Sequence, residues 1–61
     1  MLKIRTIRKH KGLTQKALAL KAKMSFTYLC NVELGKVDPS LSTLRRLANA
    51  LNVRVGDLVD D

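Results

Sequence analysis

Between positions 26 and 31 the chain gathers a phenyl ring, a methyl-bearing hydroxyl, a phenol and a carboxamide: Phe26, Thr27, Tyr28 and Asn31. A carboxamide donates and accepts at once, so Asn31 can pair with adenine at two atoms. The Thr27 methyl and the Phe26 ring can touch a thymine methyl. Tyr28 divides between packing, a phosphate and a base edge, because its hydroxyl wants a polar end. Phe26 has a second reading as a core aromatic folded over Met24, since large apolar residues are more often buried than exposed.

Groups suited to bond-making chemistry are sparse. His10 is the single histidine, in a basic stretch with no carboxylate near it to orient a ring. Asp57, Asp60 and Asp61 gather at the chain end, where solvated or frayed acids are expected. No glycine-rich phosphate loop is present. One cysteine, one histidine and scattered aspartates do not make a zinc cluster. No enzyme, no metal and no cofactor are expected. Cys30, the single cysteine, cannot close a loop within the chain. It reads as a small, partly buried hydrophobe, with a redox switch as the alternative.

The charge is uneven. The net charge is +7 over 61 residues. Positions 1–36 hold nine bases (Lys3, Arg5, Arg8, Lys9, Lys11, Lys16, Lys21, Lys23, Lys36) against Glu33, a net of +8. Positions 37–61 hold three bases against four acids, a net of −1. This asymmetry favours a polyanionic partner at one face. The first residues, Met1 to Arg5, are too charged for a secretory signal, and no apolar run approaches the roughly 20 residues of a membrane span. The chain reads as soluble, and the cysteine usage fits a reducing cytoplasm.

The elements that position these groups follow from apolar spacing and punctuation. One domain, 1–61, is expected at this length. Leu2, Ile4 and Ile7 suit a first helix to about Lys11, closed by Gly12 with Leu13 as its apolar follow-on. Thr14 can cap a second helix, about 15–22, with Leu18, Ala19 and Ala22 inward. Ser25 can cap a third, about 26–34, with Leu29 and Val32 inward and Gly35 at its end. Pro39-Ser40 announces a fourth, about 41–51, with Leu41, Leu44, Leu47, Ala48 and Leu51 on one stripe. A short fifth element after Asn52 uses Val55, Leu58 and Val59. The prediction is an all-α domain of five short helices, none stable alone in water.

The second and third helices are short, and the turn between them is Lys23-Met24-Ser25. This is the layout of a helix-turn-helix. Ala19 leaves room for the third helix to cross closely. That helix, anchored by Leu29 and Val32, presents its outer, N-terminal part, and such a helix fits a major groove about 12 Å wide.

The run Leu13-Thr14-Gln15, Leu18-Ala19, Met24-Ser25, Tyr28-Leu29, Val32-Glu33, Gly35-Lys36, Pro39-Ser40-Leu41, Leu44, Leu47-Ala48, Ala50-Leu51 resembles the Cro/cI-type (XRE-like) helix-turn-helix family of phage and bacterial repressors. The likeness runs from Ile4 to Leu58. It implies a compact five-helix, lambda-repressor-like fold that binds operators of two half-sites as a dimer in the bacterial or phage-infected cytoplasm.

On matching positions, Gln15 resembles the family glutamine that holds phosphate and braces the recognition helix. Arg8 and Glu33 resemble an ion pair joining the first helix to the end of the third. Base contacts fall to Phe26, Thr27, Tyr28 and Asn31, and phosphate contacts to Gln15, Lys16, Lys36 and the Ser40 turn. The sequence departs from the family in three places. Lys23 stands where the inter-helix turn often has Gly, at a cost of order 1 kcal/mol, which predicts an altered turn. Arg54 replaces a small capping residue, which predicts an irregular start to the last helix. Phe26 is bulky at a position that is often polar.

The partners expected are double-stranded DNA and a second copy, with no membrane and no small-molecule effector. Leu51, Val53, Val55, Leu58 and Val59 are the apolar residues expected to face that copy. The rival reading is a protein-interaction module, an antitoxin or adaptor on the same fold.

Overall fold

The computed structural model describes residues 2–59. Four α-helices follow one another: α1 Ile4–His10, α2 Gln15–Lys21, α3 Phe26–Glu33 and α4 Leu41–Leu51. A 3₁₀ turn, Val55–Leu58, completes the order. α2, α3 and α4 begin where hydroxyl side chains can accept from otherwise unpaired backbone N–H groups, whereas α1 follows Lys3 with no side-chain cap. The Thr14 hydroxyl accepts from the Ala17 N–H, the Ser25 hydroxyl from Tyr28 and the Ser40 hydroxyl from Thr43.

All four end alike. A residue with positive φ follows each helix: Gly12 at 74°, Lys23 at 58°, Gly35 at 77° and Asn52 at 58°. At each end the next N–H reaches back five residues, as in Leu13 to Arg8, Met24 to Ala19, Lys36 to Asn31 and Val53 to Ala48. This double-bonded termination needs a left-handed residue, which glycine supplies without a Cβ clash. Lys23 keeps the same geometry, so the altered turn expected there does not occur.

The core is aliphatic. Ile4, Leu18, Leu29, Leu47, Leu51 and Leu58 are buried almost completely, with Ala19, Ala22, Val32 and Ala48 between them. The small residues on α2 let α3 approach closely.

Three expectations need correction. The fifth element is one 3₁₀ turn, not an α-helix. The Asp57 carboxylate accepts from the Arg54 N–H at 2.9 Å, and Val59 then turns extended. Val59 pairs with Leu2 in a single antiparallel bridge, and the Lys3 N–H donates to the Leu58 carbonyl at 2.8 Å. Leu2 and Lys3 therefore tie to Leu58 and Val59 before a helix could propagate. Leu41, assigned to the inner stripe, is exposed, because the first residue of α4 lies beyond the edge of the core. Leu51 and Leu58, assigned to a surface for a twin, are in the core; Val53 and Val55 are half-buried, and Val59 is exposed. Asp60 and Asp61, read as frayed acids, lie outside the described residues, as does Met1. No helix among the described residues is long and apolar enough to cross a membrane.

Candidate nucleic-acid interface

The turn from α2 to α3 is tight: Ala22 caps α2, Lys23 is left-handed, and Ser25 caps α3. Leu29 and Val32 of α3 point into the core at 0% and 2% exposure. The opposite face is accessible at its N-terminal end. Phe26 and Thr27 are exposed, and Tyr28 and Asn31 are half-buried. Thr27 and Asn31 are four apart, hence on one face of the helix. Phe26 is 43% exposed, so the reading of a ring tucked into the core does not hold. The Lys16 ammonium lies 5.8 Å from its centroid, a cation–π contact that holds a base of α2 beside the start of α3. Tyr28 packs its ring against the core margin.

The other end of α3 is locked by polar groups. Arg8 Nε donates to Glu33 Oε2 at 2.8 Å and Nη2 to Oε1 at 3.2 Å. Its third donor, Nη1, reaches the Leu13 carbonyl at 2.8 Å. The two side chains are only 8% and 2% exposed. Gln15 Nε2 donates to Glu33 Oε1 at 3.1 Å, and the Cys30 thiol donates to Gln15 Oε1 at 3.5 Å. Glu33 is thus the common acceptor for α1 and α2. A charge buried this deeply persists only when its lone pairs are filled. No buried side-chain nitrogen or oxygen among the described residues lacks a partner.

These contacts place the residues singled out by sequence in two groups. Arg8, Glu33 and Gln15 are brought together inside. Phe26 and Thr27 lie at the exposed N-terminal end of α3, with Lys16 over the Phe26 ring, and half-buried Tyr28 and Asn31 follow them along the helix. Gln15 spends its carbonyl and one N–H on the brace, which leaves one amide N–H. Lys36 is exposed just past α3. Ser40 is exposed too, but its hydroxyl is committed to α4: it accepts from the Thr43 N–H and donates to Thr43 Oγ1, each at 3.1 Å.

The bases of the first half stay in solvent. Lys3, Arg5, Lys9, Lys11, Lys16, Lys21, Lys23 and Lys36 are all exposed, and only Arg8 is buried. One residue escaped the sequence reading. Arg46 of α4 donates from Nε to the Ala22 carbonyl at 3.0 Å and from Nη2 to the Lys23 carbonyl, both in the turn before α3. No local pattern signals this, because the partners are 23 and 24 positions away.

Comparison with known proteins identifies the family and the fold. The profile of the helix-turn-helix family matches residues 4–58. The chain is 44% identical over 59 residues to the immunity repressor protein of Bacillus phage phi105, covering 97% of this chain and 41% of that protein. It is 38% identical over 58 residues to the HTH-type transcriptional regulator DdrOP3 of Deinococcus deserti, covering 95% of this chain and 45% of the relative. It therefore spans less than half the length of these two curated relatives. The crystal structure of the restriction-modification controller protein C.AhdI from Aeromonas hydrophila superposes with a TM-score of 0.91 at 33% identity, covering 93% of this chain and 86% of that one.

Proposed function

From the premise that this chain belongs to the helix-turn-helix family, we propose that it binds double-stranded DNA sequence-specifically as a transcriptional regulator of the repressor type. The observation that carries this reading is the asymmetry of α3, braced at its C-terminal end and exposed at the end that holds Phe26 and Thr27.

In this reading α3 enters the major groove by its outer face, N-terminal end first. Thr27 and Asn31 read base edges from one face, and Phe26 and Tyr28 flank them. Asn31 suits adenine, at about 1–3 kcal/mol of discrimination for a two-atom contact. Lys16 and Lys36 meet phosphates on either side of α3, and the free Gln15 N–H joins them at the start of α2. At the Ser40 turn the hydroxyl is occupied, so the first backbone N–H groups of α4 are the phosphate donors. The remaining exposed lysines add field without fixed contacts, and binding falls steeply with salt.

The wider architecture belongs to the same proposal: residues 1–61 act as one lambda-repressor-like unit, and two copies bind two half-sites about 34 Å apart. With Leu51 and Leu58 buried, one set of apolar residues open to a second copy is exposed Leu34 and Val59 with half-buried Leu2 and Val37. Leu2 connects them, since it bridges to Val59 and lines one groove with Leu34 and Val37. Exposed Leu34 on this groove also favours a second reading, in which this face docks another protein, as an antitoxin or adaptor would.

Fluorescence-polarisation titration of DNA selected from a random pool tests the proposal. The expected result is one near-palindromic site bound far more tightly than random DNA, with Lys36→Gln lowering the salt slope by about 1 and leaving the site preference intact. Weak, sequence-blind binding overturns it, and pull-downs with wild type and Leu34→Ser then test the second reading.

A further inference from the structure

Of the four left-handed helix ends, that of α2 is built on the least suitable residue. Gly12 and Gly35 carry no Cβ, and Asn52 is of a type that tolerates this region. Lys23 has neither advantage. It is also the end where a distant side chain takes the carbonyls of both the left-handed residue and the residue before it. Arg46 Nε donates to Ala22 and Nη2 to Lys23, and no backbone N–H claims either carbonyl. A cation suits this place, because the last carbonyls of a helix are its negative end. The guanidinium fork has the shape to hold both at once.

The turn it holds is the joint between the supporting helix and the exposed one. Two residues separate Lys23 from Phe26, and Met24 returns its N–H to the Ala19 carbonyl at 3.0 Å. Small rotations about the Lys23 dihedrals would swing the N-terminal end of α3, which carries Phe26 and Thr27. The Arg8–Glu33 brace fixes only the far end. We propose that Arg46 is a positioning residue for DNA reading: by clamping the Ala22 and Lys23 carbonyls it substitutes for a turn glycine and sets the angle at which α3 meets the groove. This rests on the DNA-binding reading above. Arg46 touches no base in the proposal; it acts through the turn.

The test compares the full chain with Arg46→Gln, Arg46→Lys, Lys23→Gly and the double variant. Amide hydrogen exchange reports the clamp without DNA. Arg46→Gln is expected to speed exchange at Met24 about tenfold, the loss of roughly one net hydrogen bond, while the matching amide of Leu13 after α1 stays unchanged. Polarisation titration reports the consequence: the preference for the selected site over random DNA falls about tenfold at unchanged salt slope. Arg46→Lys retains part of the preference, and Lys23→Gly in the Arg46→Gln background restores most of it.

Unchanged Met24 exchange overturns the clamp whatever the DNA result. A salt slope reduced by about 1 with the preference intact makes Arg46 a phosphate ligand instead. A wild-type chain with no site preference overturns the DNA reading, and the positioning role with it, while exchange still shows whether the clamp exists.

Discussion

At its N-terminal end α3 leaves Phe26 and Thr27 in solvent, whereas at its C-terminal end the Glu33 side chain is 2% exposed and takes donors from Arg8 and Gln15. The same eight-residue helix therefore has one end free to meet a partner and one end fixed to the two helices before it. The difference teaches how so small a domain can present a rigid reading edge. Its core supplies burial, but aliphatic contacts between Leu18, Leu29 and Leu47 are nearly non-directional. Hydrogen bonds to a shared carboxylate are directional, and they fix the C-terminal end of α3 against α1 and α2.

The largest expected effect lies at the fixed end. Glu33→Gln leaves the Arg8 guanidinium buried without its counter-charge, and such losses run to about 3–5 kcal/mol. A chain of this size has only about 3–9 kcal/mol in all, at roughly 0.05–0.15 kcal/mol per residue. Thermal unfolding followed by circular dichroism should show Glu33→Gln partly or wholly unfolded near room temperature. The paired replacement Arg8→Met with Glu33→Leu should recover much of the stability, since apolar pairs of similar size often replace buried ion pairs without loss. If Glu33→Gln melts like the wild type, the two ends of α3 do not differ in the way described.

The outer face of α3 should give the opposite pattern. Asn31→Ala is expected to weaken binding to the selected DNA site by about 1–3 kcal/mol while moving stability by no more than about 0.5 kcal/mol. Paired titrations and melts would separate the two quantities. A variant that loses stability and keeps its affinity would place Asn31 with the packing residues.

Ser25 joins the two behaviours, because it caps the helix at the exposed end. Ser25→Ala removes the acceptor for the Tyr28 N–H, 3.0 Å away, and should cost about 1 kcal/mol in chemical denaturation. An unchanged midpoint would mean that solvent satisfies that end equally well.

The smallest effect is expected far from α3. The Arg54 N–H, and next its guanidinium, hold the Asp57 carboxyl below its ordinary value of 3.8. The charged form is the one favoured by folding, so the stabilisation is present above 3.8 and is lost as the pH falls through the depressed folded value. Asp57→Asn should therefore melt slightly below the wild type at neutral pH, with the gap closing in acid. A gap that widens in acid would reverse the assignment.

Much of this was legible in the residues. Thr14, Ser25 and Ser40 mark helix starts, and Gly12 and Gly35 mark ends, because caps use hydrogen bonds between residues three to five apart. The inward sets Leu18-Ala19-Ala22 and Leu29-Val32 follow from helical spacing alone. The pairing of Arg8 with Glu33 came from likeness to a family and not from spacing, and Arg46 gave no sign at all. Lys23 misled in the other direction: its residue type argued for a changed turn, and a side chain from α4 supports the unchanged one.

The sequence by itself determined where α2, α3 and α4 begin and which face of each is mainly apolar, since both depend on neighbours along the chain. It also determined the charge, which leaves the first half strongly cationic. Only the tertiary structure decided that Leu58 fills the core while Leu41 stands in solvent, that four helices and a 3₁₀ turn form where five helices were expected, and that Glu33 gathers Arg8 and Gln15 around it. Those outcomes depend on which surfaces meet across 18 to 25 positions of chain, and on where the Leu2–Val59 bridge stops the last turn. Periodicity shows that a face must be covered; packing alone decides what covers it.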